Sequence, residues 1–327
     1  MYIADIGEFE LIEIINNTIG EQAGLTLGTG DDACAWNTPS NEMLATTDSL
    51  VEGVHFEPGL VSWHDLGYKA LAVNISDISA MAGVGAVALV SLALPDNIEV
   101  QEIISFYQGM LELSSKAGIN IGGGNISRSP VVNITITLIG TVGPSGKILK
   151  RSGAHKEDLI AVTGYPGSSA AGRIILSGKH ITSEKYAAPL TQAFLRPAPL
   201  IDTATVISRL GASSAIDISD GLLADMRHLL SASQAGAIIN VDNLSLEPLL
   251  KAGFTYREAL EMALAGGEDY ELLFTASKSD MEKISTAIEY HLSIIGSVIE
   301  ESPGTINLEG NLEPIKNLDL SGWRHFG

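Results

Sequence analysis

The chain has 327 residues, 45% hydrophobic and 18% charged, and its 39 acidic against 19 basic residues leave a net charge of −20. That length exceeds one ordinary core and predicts two globular domains. The charge argues against nucleic acid and anionic membrane surfaces as partners, and the single cysteine, Cys34, rules out an intrachain disulfide or a cysteine-based zinc site.

The opening stretch, MYIADIGEFELIEII, is acidic and lacks the basic region and apolar core of a signal peptide, so a cytoplasmic protein is expected. Phe9 to Asn16 reads as a short helix, followed by the loop GLTLGTGDDAC over Gly24–Cys34. MLATTD, Met43–Asp48, reads as a strand ending in polar residues. From about Trp63 to Ala82 the small apolar residues around YKALAVNISDISAMAG predict a tightly packed helix. Asn74 and Asp77 are three apart and share one of its faces. A carboxylate in such surroundings is costly unless paired or bound to a metal.

The uncharged run Ile78–Pro95 contains Gly83 and Gly85 and ends in proline. It reads as helix end, turn and buried strand (86–94), not as a membrane span. Val100–Ala117 has helical spacing, with Ile103, Tyr107, Leu111 and Leu113 marking the apolar face. The glycine cluster Gly122–Gly124 leads to Asn125. Then Val132, Ile134, Ile136 and Leu138 alternate with Asn133, Thr135 and Thr137, the pattern of a half-buried strand over Val131–Val142. The basic island Lys147, Lys150, Arg151, His155 and Lys156 marks the expected boundary between domains 1–148 and 149–327.

Beyond it, DLIAVTG (158–164) reads as a strand running into a turn and helix, and IDTATVISRLG as a further helix. AIDISDGL is a strand-to-helix junction opening the helix LLADMRHLLSAS. AIINV (237–241) and YELLFTA (270–276) read as strands, SDMEKISTAIEYH as an amphipathic helix and LSIIGSVI as a last strand. Interleaved strands and helices indicate α/β or α+β layers in both halves.

The familiar phosphate loops fail. Gly140–Ile148 has five residues between its outer glycines and Ile after Lys147, which is not a Walker A loop. GTGDDA, Gly28–Ala33, would put two carboxylates where a dinucleotide pyrophosphate sits. No nucleophile elbow or His-Glu-x-x-His motif is present. What recurs is acid beside small residues at element ends: Asp31-Asp32, Asp48, Asp77, Asp217 with Asp220, and Glu268-Asp269. Such oxygen ligands suit Mg²⁺ or Ca²⁺, although Asp220-Gly221 would also serve as a helix cap. An acidic metal site in an acidic protein points to phosphoryl transfer from a metal-neutralised nucleotide. An acceptor that is itself a phosphate monoester is ionised at pH 7 and needs no general base.

GEFELI, GTGDDA, TTDSLVEGVHF, KALAVNISDISAMA, RSGA, AIDISDGL, GGEDYELLFT and SGWRHF together resemble the thiamine-monophosphate kinase family, in order and over essentially the whole chain. That family belongs to the superfamily of aminoimidazole ribonucleotide synthetase and selenophosphate synthetase. The resemblance implies ATP- and Mg²⁺-dependent phosphorylation of thiamine monophosphate by direct in-line transfer. It implies a homodimer whose N-terminal sheets pair across the two-fold axis, with an α/β C-terminal domain in each chain. Metal ligands would fall on Asp32, Thr46, Thr47, Asp48, Asp77, Asp217 and Asp220, with Asp77, Asp217 and Asp220 the catalytic carboxylates. Nucleotide contacts would fall on Gly124, Asn125, Arg151 and Ser219, and substrate contacts on His55, Glu268 and Trp323. Where the family pattern has Gly-Gly-Asp, this chain has Gly123-Gly124-Asn125, an added candidate ligand that offers a carbonyl oxygen without charge. The rival readings are another ATP-using synthetase of the superfamily and a nucleotide-binding protein without turnover.

Overall fold

The computed structural model describes residues 8–22, 25–27, 35–36, 42–313, 316 and 322. It divides into two compact units, Met1–Ile78 with Gly83–Val142, and Ser79–Ala82 with Gly143–Gly327.

The first unit carries α1 (Glu8–Ile19), the short antiparallel pair β1 (Leu25–Leu27) and β2 (Ala35–Trp36), and β3 (Met43–Val51). It continues with α2 (Trp63–Ala80), β4 (Gly83–Leu94), α3 (Val100–Ala117), β5 (Asn120–Arg128) and β6 (Asn133–Val142). Its four-stranded sheet runs β3-β6-β4-β5, antiparallel except for the parallel β4–β5 pair. The period-two pattern read from the sequence is the one observed, with Val132, Ile134, Ile136 and Leu138 all buried. Helix α2 is buried nearly all round, Leu66, Leu71, Ile75 and Ile78 among its apolar residues. Each such side chain stabilises by roughly 1.5–3 kcal/mol. The helix stops two residues short of the expected Ala82, which turns the chain at φ 55°, and β4 then starts at Gly83 instead of Ala86. The glycine cluster lies inside β5, where the pairing with β4 skips Gly122 between the Ala88–Ile121 and Leu89–Gly123 pairs.

The second unit holds β7 (Leu159–Thr163), α4 (Ser168–Leu176), α5 (Glu184–Leu195), α6 (Ile201–Arg209), β8 (Ala212–Asp217) and α7 (Leu222–Ala232). After these come β9 (Gly236–Asn240), α8 (Glu247–Lys251), α9 (Tyr256–Ala265), β10 (Leu272–Ala276), α10 (Lys278–Ala287), β11 (Leu292–Ile299) and β12 (Ile306–Glu309). The sheet order is β12-β9-β11-β7-β10-β8, with only the β12–β9 pair parallel. Both faces are covered. Ile160, Val162, Ile216 and Leu273 face a core shared with α7 and α9, whereas Ala161, Ala215, Leu272 and Phe274 face one shared with α6 and α10. Two buried faces explain why LIAVT and LLFTA are continuous apolar runs without alternation. The fold is therefore two-domain α/β, as the sequence implied, but LSIIGSVI is not the last strand: β12 follows and adds an edge beside β9.

Candidate functional site

In the first unit the polar end of the predicted strand meets the predicted helix. Thr46 of β3 donates its hydroxyl to Asp77 Oδ2 of α2 at 2.5 Å. Asp48 lies on the same face of β3 as Thr46, two residues on, and both are half-buried. Thr47 points to the other face, where its hydroxyl lies 3.1 Å from Thr137 Oγ1 and donates to the Ile136 carbonyl at 3.2 Å. Asn74, one turn before Asp77, is fully buried; it donates to the Ala70 carbonyl and its own Oδ1 has no hydrogen-bond partner among the described residues. His55 sits in the turn after β3, its Nδ1 accepting the Val51 N–H at 3.0 Å. Gly124 and Asn125 are exposed in β5, in register with Val90 and Ser91 of β4. A Cβ on Gly124 would lie 1.7 Å from the Val90 carbonyl oxygen, so only glycine permits this pairing. Asp32 falls outside the described residues.

In the second unit two loops are stitched together. The first, 217–221, leaves the end of β8; the second, 266–271, enters β10. Glu268 N–H donates to the Ser219 carbonyl and Tyr270 N–H to the Ile218 carbonyl, both at 2.8 Å, while Ile218 N–H donates to the Glu271 carbonyl at 2.8 Å. A Cβ on Gly267 would meet the Ser219 carbonyl oxygen at 2.6 Å, so the loops touch backbone to backbone. Glu268 and Tyr270 adopt left-handed φ angles of 68° and 53°. Such conformations cost about 1–3 kcal/mol each and persist only where the surroundings enforce them.

Two buried carboxylates do the enforcing. Asp225 is 3% exposed and its Oδ2 accepts the N–H groups of Ser219, Asp220 and Gly221 at 3.0, 3.0 and 3.1 Å. Burial, then the neighbouring Asp220 charge, pushes its carboxyl up to about 7 against those three donors. Asp269 accepts Gly167 N–H at 2.7 Å and Ser169 N–H at 3.0 Å, closing the N-terminus of α4 from 100 residues away in sequence. Burial pushes its carboxyl up to about 8. Sequence reasoning left Asp225 out and considered Asp220 as the cap. The structure corrects this: Gly221 is the N-cap without a side-chain bond, and the acid four residues further on gathers the loop. An acid in the first turn of α7 was the available signal.

Of the remaining expected residues, Asp217 is buried at the end of β8, and Ser219, Asp220 and Glu268 are half-buried on the joined loops. Arg151 is exposed, and its carbonyl accepts the Ser233 hydroxyl at 2.9 Å. Trp323 lies outside the described residues. Among the described residues no three His, Cys, Asp or Glu side chains form a cluster able to hold a metal ion, and no helix is long and apolar enough to cross a membrane.

Residues 30–142 match the AIR synthase related protein N-terminal domain, and residues 156–309 match the AIR synthase related protein C-terminal domain. The thiamine-monophosphate kinase of Escherichia coli O157:H7 is 38% identical over 327 aligned residues, covering 98% of each chain. The crystal structure of thiamine-monophosphate kinase from Stenotrophomonas maltophilia K279a is similar with a TM-score of 0.81 and 32% identity, over 93% of this chain and 97% of that one. AaThiL complexed with AMPPCP and TMP is similar with a TM-score of 0.76 and 33% identity, over 100% and 99% of the two chains. The chain belongs to the thiamine-monophosphate kinase family of AIR synthase related proteins.

Proposed function

We propose that this chain transfers the γ-phosphoryl group of ATP directly, in line, to the phosphate of thiamine monophosphate, giving thiamine diphosphate in an Mg²⁺-dependent reaction. The observation that carries the reading is the likeness, over nearly the full length of both chains, to a structure holding an ATP analogue together with TMP. The acceptor phosphate is itself ionised near pH 7, so positioning and charge neutralisation suffice without a general base.

The donor set fits a hard cation. Asp32, Thr46, Thr47, Asp48, Asp77, Asn125, Asp217 and Asp220 offer only oxygen among their ligating atoms, apart from the amide nitrogen of Asn125. Bound Mg²⁺ would neutralise phosphate charge on donor and acceptor. Asp77, Asp217 and Asp220 are assigned as the catalytic carboxylates. Gly124, Asn125, Arg151 and Ser219 would contact the nucleotide; His55, Glu268 and Trp323 would contact thiamine monophosphate. The exposed backbone of β5 at Gly124 and the fixed 217–221 loop support the nucleotide assignment. The enforced left-handed conformation of Glu268 supports the substrate assignment. Residues 1–148 would bind ATP and Mg²⁺ and pair in a homodimer, and 149–327 would complete the site, in a cytoplasmic enzyme.

The test is turnover. ATP consumption and thiamine diphosphate formation should require ATP, thiamine monophosphate and a divalent cation together, and chelation with EDTA should abolish both. ATP hydrolysis that ignores thiamine monophosphate would overturn the reading.

A further inference from the structure

We propose that Asp225 is a positioning residue of the phosphoryl-transfer site, holding the loop that carries Asp217, Ser219 and Asp220 through a single oxygen atom. The inference rests on the reading that those three residues serve the nucleotide and its metal.

The geometry is unlike an ordinary helix cap. A cap residue precedes the helix and satisfies one or two N–H groups of its first turn. Asp225 stands inside α7, past its Gly221 N-cap, and reaches back over the turn to three consecutive N–H groups, those of Ser219, Asp220 and Gly221. Three successive N–H groups converging on one point impose the course of the backbone between β8 and α7. The carbonyls of Ile218 and Ser219 are taken by Tyr270 and Glu268 on the facing loop. The loop is thus fixed from one side by Asp225 and from the other by the strand-like bonds to 268–271. The side chains of Asp217, Ser219 and Asp220 inherit that fixed backbone. A shift of the acceptor would reach the proposed nucleotide contacts before it reached the core, because Leu222, Leu223 and Met226 pack α7 onto the sheet independently.

What Asp225 supplies is an acceptor at one place, so position should matter more than charge. Asp225→Asn keeps an oxygen there, while Asp225→Glu keeps the charge and displaces the oxygen by one methylene. The experiment compares wild type with both variants. It reads amide hydrogen exchange at residues 219–221 in the free protein, melting temperature, half-saturating Mg²⁺, and KM for ATP and for thiamine monophosphate. Asp225→Asn should match wild type within about threefold in every kinetic constant and keep the slow exchange. Asp225→Glu should exchange the three amides at least about tenfold faster, and raise half-saturating Mg²⁺ and KM for ATP by about tenfold, with KM for thiamine monophosphate moving less. If Asp225→Glu loses its cooperative melt, Asp225→Ser, whose shorter side chain cannot reach all three donors, takes its place. Fast exchange with unchanged Mg²⁺ and ATP dependence would reduce Asp225 to a structural residue and overturn the proposal. So would an Asn variant as damaged as the Glu variant, or a Glu variant whose three amides stay protected. A wild-type protein that fails to turn over ATP with thiamine monophosphate would instead sink the functional reading on which this one rests.

Discussion

Asp77 in the first unit and the pair Asp225 and Asp269 in the second are acids in apolar surroundings, yet they are bonded differently. Asp77 is half-buried and takes a short bond from a side-chain hydroxyl, that of Thr46. Asp225 and Asp269 are buried and take backbone N–H groups, three and two respectively. A hydroxyl can rotate away when a better partner arrives; a backbone donor moves only if the chain moves. The lesson is that a carboxylate wired to the backbone shapes a loop, whereas one wired to a hydroxyl can be re-bonded by a ligand. By this criterion Asp77 suits the proposed chemistry, and the other two suit its scaffold.

Replacing Asp77 is the strongest way to break that division. Asp77→Asn should lower kcat by about a thousandfold, ~4 kcal/mol, because a neutral amide would hold the proposed Mg²⁺ more weakly than a carboxylate does. Its melting temperature should stay within a few degrees of wild type, since the amide oxygen still accepts from Thr46. Steady-state kinetics and a thermal melt decide it. A variant that turns over normally but melts early would make Asp77 scaffold after all.

Asp269 offers the opposite test, on stability. Burial pushes its folded-state carboxyl up to about 8, while an unfolded Asp titrates near about 3.9. Between those values the folded protein holds a proton that the unfolded chain has released, so stability falls as pH rises through this window and levels off above it. Asp269→Asn has no proton to lose. Between pH 5 and 8 its stability should therefore decline less than that of wild type, by about 2–4 kcal/mol across the range. Melting curves at pH 5, 6, 7 and 8.5 measure the difference. Parallel curves would show that Asp269 is already ionised in the folded state.

The same contrast explains what the sequence made legible. Period-two alternation over 132–138 reports a single buried face, so β6 was readable from residue types alone. In the second unit both sheet faces are covered, so apolar runs located strands without telling their faces. Helix α5 escaped because Pro189 stands in its interior, although the Thr255–Glu258 capping box at the start of α9 was a usable signal. The acidic motifs pointed to Asp77, Asp217 and Asp220, because side-chain chemistry is visible in residue names. Asp225 was missed because its role lies in three N–H groups of a loop, and backbone donors carry no letter. The glycine cluster at 122–124 carried no element assignment in the sequence, and it is strand, with Gly124 closely approaching the Val90 carbonyl.

The smallest expected effect concerns two adjacent threonines, and it sharpens the division within a single strand. Thr46 and Thr47 are both candidate metal ligands, yet strand geometry sends their side chains to opposite faces. The Thr46 hydroxyl meets Asp77, while the Thr47 hydroxyl is engaged across the sheet with Thr137 and the Ile136 carbonyl. Thr46→Val keeps the shape and removes the donor, and should lower kcat/KM by about tenfold, the scale of one hydrogen bond to a charged group. Thr47→Val removes an exposed hydroxyl that bonds the half-buried Thr137 and the Ile136 carbonyl. Its effect should stay within about twofold on kcat/KM, with stability changed by less than about 0.5 kcal/mol. Side-by-side kinetics with titrated Mg²⁺ measure both variants. Equal losses would mean that Thr47 reaches the phosphates through its hydroxyl after a rearrangement of β3, and that a hydroxyl bonded across the sheet is as available for ligand binding as the one bonded to Asp77.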